Sequence, residues 1–238
     1  MRELAAAVAR LAEDDEVRCV VLTGSGRAFC AGGDMKASKA ANHSAAGADP
    51  IARKRSTFEM RTAWLRRSAE AARLLYMMRK PTIAMINGPC AGAGLSLAGA
   101  CDLRIAAESA IFTTAFVRAG LSGDYGGTWF WTRILGTARA RELFLLGEKL
   151  DARQALAYGM LTRLVSDADL EGVTMDIASR IARGPASTYG YLKENLAAAE
   201  VLPLEAALEQ EATRMMLSRA ALMAAPVAQL AEKAEVSS

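Results

Sequence analysis

The chain has 238 residues, of which 52% are apolar, 23% charged and 6% aromatic. That excludes a disordered chain, a collagen-like repeat and a small disulfide-stapled scaffold, and it suffices for one well-buried domain with a helical appendage. With 29 Lys and Arg against 26 Asp and Glu, the net charge of +3 identifies no partner.

Arg2 to Glu13 places Leu4, Val8 and Leu11 at helical spacing, so an amphipathic helix opens the chain rather than a signal peptide. Val17 to Thr23 reads as a buried strand ended by Gly24-Ser25-Gly26, followed by a loop from Arg27 to Lys36. Lys39 to Pro50 is polar and loop-like. Ile51 to Arg79 carries one long helical pattern closed by Lys80-Pro81. Thr82 to Ile86 is a second buried strand, turned by Asn87-Gly88-Pro89 into a small-residue helix from Ala91 to about Ala100. Pro81 to Cys101 is uncharged and long enough to span a bilayer, but that turn and Gly92, Gly94 and Gly99 break it, so the reading is of a soluble, non-membrane protein. Asp102 to Ala106 and Ala110 to Thr114 are short strands. The rest is helical to Glu232, broken at Gly147, Gly159, Gly184-Pro185 and Pro203, with one more strand near Leu161 to Val165. Alternation in the first half predicts an α/β core with parallel pairing, and the helical end predicts packing or assembly. The division falls into a core over 1–186 and a helical region over 187–238.

Function classes narrow by residue type. His43 is the single histidine and lies in the polar loop, which argues against a His-rich metal site or a nucleophile triad, so no metal is expected. Cys19, Cys30, Cys90 and Cys101 form no CxxC or regular framework and read as free thiols in a reducing cytosol. The segment from Arg53 to Lys80 holds nine basic residues against Glu59 and Glu70. It reads as a solvated face, with the option of meeting an anionic ligand. No aromatic residues interleave as a stacking platform requires, which makes nucleic acid an unlikely partner. Gly24-Ser25-Gly26 lacks the third glycine of a dinucleotide loop, where Phe29 stands, and Gly92-Ala93-Gly94 fails likewise at Leu97. Both clusters follow strand ends and would let a ligand approach the backbone closely. One N–H group from each could bracket a carbonyl oxygen, each donor worth about 3 kcal/mol toward a developing enolate.

The residues from Val20 to Lys36 (Val-Val-Leu-Thr-Gly-Ser-Gly-Arg-Ala-Phe-Cys-Ala-Gly-Gly-Asp-Met-Lys) resemble the first signature of the crotonase, or enoyl-CoA hydratase/isomerase, family. Ile-Asn-Gly-Pro-Cys-Ala-Gly-Ala-Gly (86 to 94) with Ala-Cys-Asp-Leu-Arg-Ile-Ala (100 to 106) resembles its second. Ala-Gly-Leu-Ser-Gly-Asp-Tyr-Gly-Gly-Thr-Trp (119 to 129) resembles its third. The resemblance implies a crotonase-like fold of ββα units, a C-terminal helical trimerisation region, a homotrimer or dimer of trimers, a cytoplasmic setting and an acyl-CoA thioester substrate, with no cofactor beyond that coenzyme A. Matched residue by residue, it assigns the oxyanion-hole N–H groups to Ala31 and Ala93, with Gly92 shaping the second loop. It places Ala31, Gly32, Gly33 and Asp34 along the CoA channel, while charge suggests Lys36 for the CoA phosphates. Ser96 and Phe116 stand where hydratases of the family carry two glutamates, which puts ordinary hydration in doubt. Asp124 remains, and resembles the single proton-shuttling aspartate of 1,2-epoxyphenylacetyl-CoA isomerases and related enoyl-CoA isomerases. Phe116 and Trp129 are candidates for the acyl pocket, and Met215 and Met216 for core or interface. Pro226 to Lys233 weakly resembles the family's terminal helix, with Leu230 and Ala234 replacing Phe and Arg, and the family's opening pair of strands has no counterpart ahead of Arg2. The expected function is acyl-CoA isomerisation. The alternatives are a hydratase, an aryl-CoA dehalogenase with Asp124 as nucleophile, and a CoA- or RNA-binding homologue with little catalysis.

Overall fold

Thr82–Ile86 and Leu103–Ala107 are almost unbroken runs of small and apolar residues, the composition of strands covered on both faces. The computed structural model describes residues 2–32 and 50–224 and bears this out. In chain order the elements are α1 (Arg2–Glu13), β1 (Val20–Thr23), α2 (Pro50–Ser68), α3 (Glu70–Met77), β2 (Thr82–Ile86), β3 (Cys90–Ala91) and α4 (Ala93–Ala100). There follow β4 (Leu103–Ala107), β5 (Ile111–Thr113), a 3-10 turn (Val117–Ala119), α5 (Gly127–Leu146), β6 (Leu150–Asp151) and α6 (Ala152–Tyr158). Last come β7 (Arg163–Val165), α7 (Leu170–Arg183), α8 (Ala186–Ala199) and α9 (Leu204–Ala224).

A parallel sheet in the order β1-β2-β4-β7 forms the centre, with Val20 opposite Thr82 and Ile83 opposite Leu103. Alternation along β2 sends Ala84 and Ile86 to one face and Ile83 to the other. The first face packs under α1, α3, α4 and α5, with Leu75, Leu95 and Trp131 fully buried. The second packs Ile83 and Ile105 against Leu170, Ile177 and Ala178 of α7. A second, smaller sheet runs β3-β5-β6, with β3 and β5 parallel and β6 antiparallel. The helices α8 and α9 pack along each other. Lys193 fixes this pair to the core through Asp102, at 2.8 Å.

The structure differs from the sequence reading in four respects. The first strand starts at Val20 rather than Val17, because its ladder begins where Val20 donates to the Pro81 carbonyl. The long helix divides at Ala69: α3 buries Ala71, Ala72 and Leu75 against the core, whereas residues 58–62 of α2 are exposed. The strands β3 and β6 are two residues each, too short to leave a periodic signal. Gly136 adds a non-helical break inside α5. All four cysteines are free thiols. Among the described residues no helix is long and apolar enough to cross a membrane, and no cluster of three or more His, Cys, Asp or Glu could hold a metal ion. Gly33, Asp34, Lys36, His43 and the segment from Pro226 to Lys233 lie outside the described residues.

Candidate active site

Both glycine-rich loops leave the C-terminal ends of neighbouring parallel strands, β1 and β2, the end at which α/β sheets collect their ligands. Asn87 ties them together. Its side-chain amide donates to the carbonyls of Gly24 (3.1 Å) and Gly26 (2.8 Å), while its Oδ1 accepts from Gly24 N–H (3.3 Å) and lies 3.4 Å from Thr23 Oγ1. Further along, Cys30 pairs with Cys90: its N–H donates to Pro89 and its carbonyl accepts from Ala91. Both polar groups of Cys30 therefore face the second loop, and Ala31, the next residue, is exposed.

The second loop meets the first at a contact only glycine permits. A Cβ on Gly94 would lie 2.5 Å from Cys30 Cβ and 2.6 Å from its carbonyl oxygen. The helix α4 begins at once, with Ser96 N–H donating to the Gly92 carbonyl as its first helical bond. The N–H of Ala93 therefore has no acceptor within the helix and stands at its positive end. The structure thus presses together the two loops that carry Ala31 and Ala93.

Asp124 enters from the loop ahead of α5. Its carbonyl accepts from Gly127 N–H at 3.0 Å and from the Ser96 hydroxyl at 3.0 Å. Ser96 is one helical turn after Ala93, so Asp124 docks beside the helix that begins with Ala93. The carboxylate Oδ1 is buried and has no hydrogen-bond partner among the described residues. Loss of water around the carboxylate pushes its pKa up from 3.8 to about 6. A carboxyl group in that range can both take and return a proton near neutral pH. Burial also raises the pKa of the adjacent Tyr125 hydroxyl, which hydrogen-bonds Ser68.

The other candidates are distributed unevenly. Phe116 is buried beside the second loop, its ring edge 3.8 Å from where a Gly92 Cβ would sit, and it stacks on Phe144 with centroids 6.4 Å apart. Gly32 lies against the Ala91 carbonyl with φ +98°. Trp129 belongs to a different cluster: it meets Tyr76 edge-on at 5.1 Å and lies under the Arg133 guanidinium at 3.7 Å, and Arg133 in turn pairs with Glu200. Several members of the basic segment are also engaged. Arg73 pairs with Glu70, Arg79 with Glu194 and the face of Tyr191, and Lys80 donates to the carbonyls of Leu11 and Asp14. Met215 and Met216 are exposed on α9, so they are not core. In the sequence Asn87 is legible only as a turn residue and Ser96 only as the replacement of a glutamate. The sole signal for their tethering roles was the presence of a polar side chain in an otherwise uncharged, apolar stretch.

The family model described as enoyl-CoA hydratase/isomerase matches residues 1–223. The chain belongs to the enoyl-CoA hydratase/isomerase family. Within it, the chain is 37% identical over 209 residues to 1,2-epoxyphenylacetyl-CoA isomerase of Escherichia coli strain K12, covering 88% of this chain and 76% of that protein. It is 38% identical over 197 residues to a protein named as an enoyl-CoA hydratase from Rhodobacter capsulatus, covering 83% and 71%. A crystal structure from Mycobacterium abscessus, named as an enoyl-CoA hydratase/isomerase, superposes with a TM-score of 0.83 at 32% identity, covering 99% of this chain and 85% of that one. The architecture is therefore the crotonase fold with a helical C-terminal region.

Proposed function

We propose that the protein is an acyl-CoA isomerase that moves a double bond, or rearranges the acyl group, next to a thioester, with Asp124 as its single acid-base group. The observation that carries this reading is the buried Oδ1 of Asp124, without a partner among the described residues, on a residue whose carbonyl docks onto Ser96 one turn from the start of α4. The thioester carbonyl would sit between the N–H groups of Ala31 and Ala93, which stabilise the enolate oxygen as charge develops there. Asp124, ionised, removes a proton from one carbon and returns it to a neighbouring carbon on the same face. The partial burial of its carboxylate strengthens it as a base. Gly32, Gly33, Asp34 and Lys36 would follow the CoA moiety, and Phe116 would wall the acyl group beside Gly92.

Hydration is disfavoured by the residues present. It needs a group to position and activate water, and Ser96 is buried with its hydroxyl spent on the Asp124 carbonyl, while Phe116 has no polar group. Exposed Leu196, Leu208, Met215 and Met216 on α8 and α9 suit assembly with further copies of the chain, as a homotrimer or dimer of trimers. The test is to incubate the protein with a 3-enoyl-CoA and, separately, with crotonyl-CoA and water. Conversion of the first to its conjugated isomer, with hydration of the second at least about a hundredfold slower, supports the reading. Hydration as fast as isomerisation contradicts it.

A further inference from the structure

The loop that carries Asp124 is held in a conformation its own backbone does not favour. Tyr125 has φ +51°, in the left-handed region that side chains with a Cβ seldom adopt, and it is followed by Gly126 at φ +75°. Such a segment persists only where its surroundings over-determine it. Two donors grip the Asp124 carbonyl: Gly127 N–H, from the loop's own continuation, and the Ser96 hydroxyl, from α4. Ser96 is 1% exposed, and its single proton has its nearer acceptor in Asp124 (3.0 Å) rather than in Gly92 (3.3 Å). The start of α5 is seated directly on this side chain, since a Cβ on Gly127 would lie 2.3 Å from Ser96 Oγ.

We propose that Ser96 is a positioning residue: by gripping the Asp124 carbonyl from the helix that begins with Ala93, it fixes the carboxylate relative to the enolate-binding N–H groups and keeps Oδ1 dry. The inference rests on the acid-base reading of Asp124. The hydroxyl touches no reacting atom; it acts through the peptide that follows the carboxylate. Without it the strained Tyr125 peptide is free to relax, and water gains access to Oδ1.

The test uses Ser96→Ala and Ser96→Cys in the full chain, the second keeping the shape of serine with a poor donor. Isomerisation of a 3-enoyl-CoA is followed across pH, and the Asp124 carboxyl is titrated by isotope-edited infrared spectroscopy, its band assigned with Asp124→Asn. Both Ser96 variants are expected to lose about tenfold in kcat, the scale of one buried hydrogen bond, with KM within about twofold. Their Asp124 titration should move down toward the ordinary carboxylate range. A Ser96→Cys variant with unchanged kcat and titration would show that the side chain only fills space, and would overturn the proposal. A shifted titration with undiminished kcat would keep the grip and remove Asp124 from the chemistry, so the two readings fail separately.

Discussion

Two aspartates, 22 positions apart by number, show how one residue type serves opposite ends. Asp102, just ahead of β4, is well partnered: its Oδ2 accepts from Thr82 N–H (2.7 Å), Thr82 Oγ1 (2.9 Å) and Lys193 Nζ (2.8 Å). Asp124 leaves Oδ1 buried with no donor among the described residues. The first carboxylate joins β2, β4 and α8 through its Oδ2 and serves the architecture. The second is held by its backbone instead, through Ser96 and Gly127 on its carbonyl. Unsatisfied buried polar groups destabilise a fold, and the acid-base role proposed for Asp124 gives this one a reason to be retained.

The sharpest way to break this contrast is to exchange the burdens. Asp102→Ala removes the carboxylate partner of Lys193, whose side chain is 12% exposed and keeps its bond to the Lys80 carbonyl, and is expected to lower stability by about 3 kcal/mol in chemical denaturation. Asp124→Asn should leave the denaturation midpoint at neutral pH unchanged or raised. A destabilisation by Asp124→Asn equal to that of Asp102→Ala would erase the distinction.

A smaller effect concerns pH. Between 3.8 and about 6 the folded chain holds a proton on Asp124 that the unfolded chain has released. Stability from this group is therefore full below the lower value and lost as pH rises through the upper one. The carboxyl is partly solvated, so the change is at most about 2 kcal/mol after screening. Denaturation midpoints measured from pH 4 to 7 should fall in the wild type relative to Asp124→Asn. Isomerase activity should run the other way, rising with pH to a plateau above about 6 as the base ionises.

The smallest effect tests whether an orphaned polar group without a role is merely a cost. Thr174 on α7 is fully buried against the second face of the sheet, and its hydroxyl has no partner. Thr174→Val is expected to stabilise the chain by about 1 kcal/mol with kcat unchanged. Destabilisation would show that the hydroxyl is satisfied in solution, and that burial without a donor does not single out Asp124.

What was legible in the sequence follows the range of the interactions. The strand Thr82–Ile86 and the opening helix Arg2–Glu13 appeared with their observed bounds, because periodicity and turn residues act locally. The loops around Ala31 and Ala93 were legible because close approach demands small residues in a fixed order. Asp124 stood out through its motif, and its unpaired state could not have been read without the packing around it. Asn87 and Ser96 were opaque for the same reason: Asn87 reaches Gly24 across 63 positions and Ser96 reaches Asp124 across 28. The basic run showed the complementary error. It looked like one face, yet Lys80 turns to α1 and Arg79 to Tyr191 and Glu194 on α8.

The most direct test of the central claim compares wild type with Asp124→Asn in the isomerisation of a 3-enoyl-CoA, with crotonyl-CoA hydration measured beside it. The single-carboxylate account predicts that isomerisation falls at least about a thousandfold in the variant while its fold is kept, and that hydration is negligible in both. Isomerisation that survives in Asp124→Asn, or strong hydration untouched by the substitution, would contradict it.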